Sequence, residues 1–135
     1  FGVHVIEAFR VDDDPNYFAV VADEETVRQV HPRLEALAEL HPYGVAVTAP
    51  GVNVDFVSRY FAPSYGIPED PATGSACANL GAWFISMGRR PPLDFEISQG
   101  ELIGRPSLLQ LEVNTDNEVF VGGEVIELGS GILNL

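Results

Sequence analysis

The feature that most constrains the fold is a nearly all-apolar stretch, residues 76–87, in which Asn79 and Ser86 are the only polar side chains. A helix over this stretch has no polar face, and helices of that kind are buried inside a protein. Gly88 suits a left-handed helix end, and two prolines shortly after it prevent the helix from continuing. We therefore expect a buried helix over residues 75–88, with the rest of the chain packed around it.

Strand-like segments lie on both sides of this helix, and most of them are joined by short turns. They cover residues 1–9, 17–21, 44–48, 52–61, 93–98, 108–113, 118–121 and 124–128. A second helical pattern, residues 23–40, should break near His31 and Pro32, because a residue before proline disfavours helical backbone. The pattern predicts one α+β domain over residues 1–135, in which an antiparallel, strongly curved sheet wraps around the central buried helix.

The start of the central helix has the character of a binding site. Thr73, Gly74 and Ser75 make a tight turn of small side chains. The backbone N–H groups of a first helical turn lack partners within the helix and lie at its positive end, so they form a site for a carboxylate or phosphate. Asp70 lies at the rim of this site, where an acid can move a proton on a carbon close to a bound carboxylate.

A purely structural alternative is that Asp70 caps the helix, with Pro71 at its first position. Aspartate is a common N-cap, and proline is a common first helical residue. Small residues are likewise the usual way to turn a chain into a helix. The residues alone leave both interpretations open.

The run from Val54 to Leu80, VDFVSRYFAPSYGIPEDPATGSACANL, resembles the signature of the PhzF-like phenazine-biosynthesis family, whose members are related to diaminopimelate epimerase. The resemblance rests on the strand that carries Asp55 and Arg59, on the Phe-Ala-Pro that follows it, and on the acid-Pro-x-Thr-Gly-Ser motif. It covers essentially the whole chain and is strongest between residues 52 and 84.

This resemblance implies a cofactor-independent isomerase of two similar halves with the active site in the cleft between them. The chain resembles the second half only. By the same resemblance, the absent first half carries a Glu that acts as general acid and base, and Asp70 is the acid of the second half. The candidate catalytic residues are Asp70 and Ser75, and the candidate substrate-binding residues are Thr73, Gly74, Ala76 and Gly100.

Cys77 is the single cysteine, which excludes an intramolecular disulfide and fits a reducing compartment. We expect it to be a small buried packing residue. Thiol-dependent epimerases of the wider superfamily place a catalytic cysteine just before the turn, where this chain has Pro71 and Ala72. A thiol mechanism is therefore not expected.

The charge balance narrows the classes of partner. Seven basic residues, all of them Arg, stand against twenty acidic residues, which leaves a net charge of −13. Such a surface disfavours nucleic acid. No apolar run reaches the roughly 20 residues that span a bilayer, so we expect a cytoplasmic protein that binds neither membrane nor nucleic acid.

Metal binding is not expected either, and the resemblance implies no cofactor. The three carboxylates at residues 12–14 lack the spacing of an EF-hand loop. His31 and His41 each precede a proline and have no accompanying ligand pair, so they are expected at helix ends or turns. Arg59 is expected to pair with Asp55 along its strand rather than to reach the substrate.

The expected partners of such an isomerase half are a small carboxylate substrate and either the missing N-terminal half or a second copy of the chain in a homodimer. An alternative is a non-catalytic dimeric module for binding or scaffolding that pairs through its open cleft face. A weaker one is Ser75 as an acyl-transfer nucleophile, although no G-x-S-x-G elbow surrounds it.

Overall fold

The computed structural model describes residues 1–40 and 42–132, so the histidine predicted at a turn at position 41 lies outside the described residues. In chain order the elements are β1 (Glu7–Arg10), β2 (Asn16–Val20), α1 (Glu24–Arg28), α2 (Leu34–Ala38), β3 (Gly44–Pro50), β4 (Phe56–Ala62), β5 (Ile67–Asp70), α3 (Gly74–Ser86), β6 (Leu93–Gln99), β7 (Ser107–Val113) and β8 (Val119–Gly123). Short 3₁₀ turns lie at Pro63–Tyr65 and Glu101–Ile103.

The strands of the described residues form one sheet of eight, in the order β1-β2-β3-β4-β6-β7-β8, with β5 paired to β4. This confirms the α+β class, with α3 packed against a curved sheet. The sheet is mixed rather than antiparallel throughout, because β2 pairs with β3, and β4 with β6, in parallel. Parallel strands need a crossover connection, and α1 with α2 supplies the first while α3 lies in the second.

Helix α3 begins one residue earlier than expected and ends as its sequence indicates. Gly88 has φ +81°, and the Arg89 N–H donates to the Phe84 carbonyl at 3.0 Å while the Gly88 N–H donates to Ile85 at 2.9 Å. This is the Schellman pattern of a helix end. Leu80 and Phe84 are buried, whereas Met87 is 60% exposed, so the last turn of the apolar run reaches solvent.

The two faces of the sheet carry separate apolar cores, because alternate residues of a strand point to opposite faces. Phe18 and Ala46 face α3, together with Ile97 and Leu111. Their neighbours Ala19 and Val47 face α1 and α2. The predicted helix over residues 23–40 is indeed broken near Pro32 into α1 and α2.

Three expected features differ from the structure. The strand predicted at residues 1–9 is only Glu7–Arg10, because Phe1, Val3 and Val5 instead pack their side chains against the α1/α2 core. The strand predicted at 118–121 ends later than expected, since Gly122 and Gly123 also belong to β8. The strand predicted at 124–128 is also absent, because no described strand lies beyond the β8 edge to pair with it. No helix in the described ranges has the length and apolar character needed to cross a membrane.

Candidate functional site

Asp70 is the last residue of β5 and lies opposite Tyr60 of β4. Its side chain is half-buried, and its Oδ2 accepts a hydrogen bond from the Thr73 hydroxyl at 2.6 Å. The N-cap of α3 is Thr73, and Asp70 lies three residues before it in extended backbone. The interpretation of Asp70 as the N-cap is therefore wrong, and its carboxylate is available for another role.

Arg59 and Glu69 hold β5 from the face opposite to Asp70. The Arg59 guanidinium donates to both Glu69 carboxylate oxygens, at 2.9 and 2.8 Å, and to the Val30 carbonyl at 2.7 Å. The side chains of this ion pair are only 11% and 10% exposed. The predicted pairing of Arg59 with Asp55 is wrong, because the Asp55 carboxylate accepts the Glu96 N–H at 2.8 Å. Because adjacent strand residues point to opposite faces, this clamp turns Asp70 toward the α3 side.

Gln99, the last residue of β6, supports the turn between Asp70 and α3. Its Nε2 donates to the Asp70 carbonyl at 2.7 Å and to the Thr73 hydroxyl oxygen at 3.0 Å. Its Oε1 accepts the Thr73 N–H at 3.4 Å. Gly100, at the end of this strand, is predicted from the sequence as a candidate binding residue, whereas Gln99 is not. Nothing in the neighbouring sequence indicates that the Gln99 side chain reaches residues 70–73.

Gly100 packs against the same turn through its backbone. It is buried with φ +82°, and a Cβ there would lie 2.8 Å from the Pro71 carbonyl oxygen and 2.3 Å from that of Arg105. Only glycine tolerates such a close approach together with positive φ. The structure therefore places Gly100 behind the turn, where it supports the backbone, and its predicted contact with substrate stays a prediction.

The start of α3 leaves its first amides open. Thr73 is 8% exposed and makes no side-chain capping bond, because its hydroxyl donates to Asp70. The backbone N–H groups of Gly74, Ser75 and Ala76 therefore have no capping side chain within the described part of the chain. Gly74 and Ser75 are exposed, whereas the Ala76 side chain is buried. The structure brings Asp70, the Ser75 hydroxyl and these amides to one end of one helix.

Two neighbouring groups are poorly suited to proton transfer. Cys77 is buried, and burial raises the pKa of its thiol to about 11, so it is a packing residue. Burial first, and then the charges of Asp14 and Asp70, raise the pKa of Tyr60. Its hydroxyl donates to the Asn16 side chain at 2.6 Å. Asp70 is thus the titratable side chain that the structure holds at the helix start.

Other regions of the described structure are less suited to bind an anionic substrate or a metal ion. A groove on the outer face of β6, β7 and β8 is lined by Asp55, Asp94, Glu96 and Glu112, and this charge repels an anionic ligand. No group of three or more His, Cys, Asp or Glu among residues 1–40 and 42–132 is arranged to hold a metal ion.

Residues 4–131 match the family model described as phenazine biosynthesis-like protein (PhzC-PhzF). An uncharacterized isomerase of Pseudomonas aeruginosa is 36% identical over 134 residues, which are 99% of this chain and 49% of that protein. A trans-2,3-dihydro-3-hydroxyanthranilate isomerase of Pseudomonas chlororaphis is 37% identical over 114 residues, which are 78% of this chain and 40% of that protein. The chain spans about half the length, or less, of the curated relatives it matches.

Solved structures with the same description have a fold similar to that of this chain. A phenazine biosynthesis PhzF-family protein of Enterococcus faecalis superposes with a TM-score of 0.73 at 38% identity, over 90% of this chain and 44% of that chain. A PhzC/PhzF protein of Clostridium difficile gives a TM-score of 0.75 at 30% identity, over 99% of this chain and 49% of that chain.

Proposed function

The chain belongs to the phenazine biosynthesis-like (PhzC-PhzF) family, and several curated relatives that it matches are named isomerases. We propose that it supplies the acid-bearing half of a cofactor-independent isomerase acting on a small carboxylate. The observation that carries the proposal is the position of Asp70. Its carboxylate is half-buried, is held through Oδ2 by the Thr73 hydroxyl, and lies beside the uncapped first turn of α3.

The proposed mechanism is proton transfer next to a bound carboxylate. The first-turn amides of α3 and the Ser75 hydroxyl bind the substrate carboxylate at the positive end of the helix. Asp70 then exchanges a proton with a nearby substrate carbon, and the same amides stabilise the enolate-like charge that develops. Donors fixed in this way contribute roughly 3 kcal/mol each to lowering such a barrier.

The second acid or base comes from outside this chain, either from a preceding half that carries a Glu or from a second copy. The half-length match to the relatives supports this proposal. So does the segment after β8, in which Val125, Ile126 and Leu128 are 90%, 83% and 95% exposed. Its first residue, Glu124, lines a groove together with Ala72, beside the start of α3. This exposed apolar segment begins beside the start of α3, so it is suited to contact the second half or second copy that completes the active site.

The test is deuterium exchange from D₂O into trans-2,3-dihydro-3-hydroxyanthranilate, the substrate named for two curated relatives, using the protein purified from its native host together with whatever polypeptide or partner accompanies this chain. Asp70→Asn should lower exchange by about 10²- to 10⁴-fold, the usual contribution of a positioned acid or base. The matched control is Asp116→Asn in the exposed β7–β8 turn, which should exchange at the parent rate. Exchange that is equal in both variants contradicts the role of Asp70.

The exposed segment 124–132 also favours a second candidate, a dimeric module for binding or scaffolding without catalysis. The native mass separates the two. A homodimer of 14.6 kDa chains that binds no small carboxylate supports the module, whereas a longer polypeptide or a partner of similar size supports the isomerase. A cytoplasmic location remains a part of the proposal.

A further inference from the structure

We infer that Gln99 is a positioning residue, which fixes the Asp70 carboxylate in one orientation by acting through the Thr73 hydroxyl. The inference rests on the proposed role of Asp70 and deepens it. Its basis is the set of hydrogen bonds in which one carboxamide contacts the Asp70 carbonyl, the Thr73 hydroxyl and the Thr73 N–H.

The directions of these hydrogen bonds follow from the donors available. The Thr73 N–H can only donate and the Asp70 carbonyl can only accept. The Gln99 carboxamide therefore points its oxygen at the Thr73 N–H and its nitrogen at the Asp70 carbonyl. The reversed orientation would place the NH₂ group against the N–H and the amide oxygen against the carbonyl oxygen. The same Nε2 then donates to the Thr73 hydroxyl oxygen at 3.0 Å.

This contact decides where the single hydroxyl proton of Thr73 points. Since Gln99 occupies a lone pair of that oxygen, the proton points to Asp70 Oδ2, 2.6 Å away. Oδ1 of Asp70 accepts no hydrogen bond from the described residues. One carboxylate oxygen is therefore held, and the other is left for the reacting carbon.

Burial makes the arrangement rigid. Gln99 is 3% exposed and Thr73 is 8% exposed, so water does not compete for their polar groups. Gln99 stands on β6, which pairs with β4 in the middle of the sheet, at the register position opposite Ser58. The orientation of Asp70 is thus fixed by the sheet as well as by its own turn. A shift of about 1 Å in a catalytic group can cost about 100-fold in rate.

The first test needs no substrate. Three-bond couplings from the Asp70 carboxyl carbon to its backbone N and C′ report the χ1 rotamer in this chain. We expect one staggered rotamer in the parent and in Thr73→Ser, which keeps the hydroxyl. Gln99→Met, of similar size but without amide groups, and Thr73→Val should both give averaged couplings. Gln110→Met, at an exposed position of β7, is the matched control, and it should keep the parent values.

Unchanged Asp70 couplings in a folded Gln99→Met variant would overturn the inference. If that variant does not fold, Gln99→Asn decides the question, because it keeps the carboxamide but draws it back from Asp70 and Thr73 by one methylene. Averaging supports the inference there, and a single parent rotamer overturns it.

The second test uses turnover of the native protein on which deuterium exchange is measured. Gln99→Met and Thr73→Val should each lower kcat by about 10- to 100-fold with KM within about twofold of the parent. The double variant should lose no more than either single variant, because Gln99 acts through Thr73. If the losses in kcat of the two single variants add up in the double variant, Gln99 does not act through Thr73 and the inference is overturned. A parent protein without turnover contradicts the proposed function only, since the coupling measurements still decide the role of Gln99.

Discussion

The sequence Asp-x-x-Thr occurs at two helix starts of this chain, Asp23–Thr26 and Asp70–Thr73, with different outcomes. In both, the threonine hydroxyl donates to the aspartate carboxylate at 2.6 Å. At α1, Asp23 is itself the N-cap, and its carboxylate also accepts the Thr26 N–H at 2.8 Å. At α3 the N-cap is Thr73, while Asp70 stays in β5.

The acceptor of the threonine N–H differs between the two helix starts. At α1 the Asp23 carboxylate accepts the Thr26 N–H. At α3 the Gln99 side chain accepts the Thr73 N–H, and Asp70 stays in β5. The same pair of side chains therefore gives two results. The Asp23 carboxylate caps α1, whereas α3 has no side-chain cap among the described residues and Asp70 lies beside its first turn. At α3 the first-turn amides have no capping side chain in the described part of the chain, and the turn before them is held by Gln99 of a different strand. This arrangement suits a binding site better than a helix cap.

The largest expected contrast is in ligand binding. Titration of the ¹⁵N-labelled chain with anthranilate should give saturable shifts of the amides of Gly74, Ser75 and Ala76. The amides of Glu24 and Glu25 should not shift, because Asp23 already occupies the start of α1. Equal shifts at the two helix starts would show that α1 and α3 do not differ in binding a carboxylate.

The Asp23→Ala variant tests whether an open helix start binds a carboxylate by itself. Asp23→Ala uncaps α1, which has only five residues and carries Glu24 and Glu25 in its first turn. If this variant binds anthranilate at α1 as tightly as at α3, then any uncapped helix start suffices, and the arrangement around Asp70 contributes nothing to recognition. We expect no saturable binding at α1.

The next effect is on stability. Gly100→Ala places a Cβ against the backbone of Pro71 and Arg105 at a positive φ, so it should lower the free energy of unfolding by roughly 4 kcal/mol. Gly104→Ala is the matched control, since its φ of +70° is similar but its surroundings are open. It should cost only the left-handed strain of about 1 to 2 kcal/mol. Urea unfolding measures both, and equal costs would show that the support behind Pro71 is unimportant.

Much of this fold could be predicted because its signals are local. The apolar run of α3, its glycine end and the break at Pro32 each depend on residues close in sequence. The segment 124–128 has the same strand-like pattern as β7 and was predicted as a strand. A strand requires a partner as well as a pattern, and no described strand lies beside this segment.

The candidate site was predictable only in part, for the same reason. The Asp70–Ala76 segment is contiguous, so its motif marks it in the sequence. The supports of Asp70 are distant: Arg59 pairs with Glu69 ten residues away, and Gln99 lies 29 residues from Asp70. Arg59 was assigned to Asp55 on proximity along one strand, and the structure shows that the antiparallel β4–β5 pairing brings Glu69 to it instead.

The smallest expected effect concerns the closed helix start. The side-chain hydrogen bond from Thr26, followed by that from its backbone N–H, lowers the pKa of Asp23 from 3.8. A carboxylate whose pKa is lower in the folded state stabilises the fold above its unfolded pKa, and this contribution is lost as the pH falls through the folded value. Asp23→Ala should therefore have a lower Tm than the parent at pH 7, and the difference should shrink as the pH is lowered below about 3.8.

Asp116→Ala is the control for this measurement, because the carboxylate of Asp116 is exposed and accepts no hydrogen bond from the described residues. Its Tm should follow the parent at every pH. A difference between Asp23→Ala and the parent that stays constant from pH 7 to well below 3.8 would mean that Asp23 stabilises α1 without its charge. The start of α1 would then resemble that of α3 in lacking a charged cap, and the contrast between the two helix starts would rest on the position of Asp70 alone.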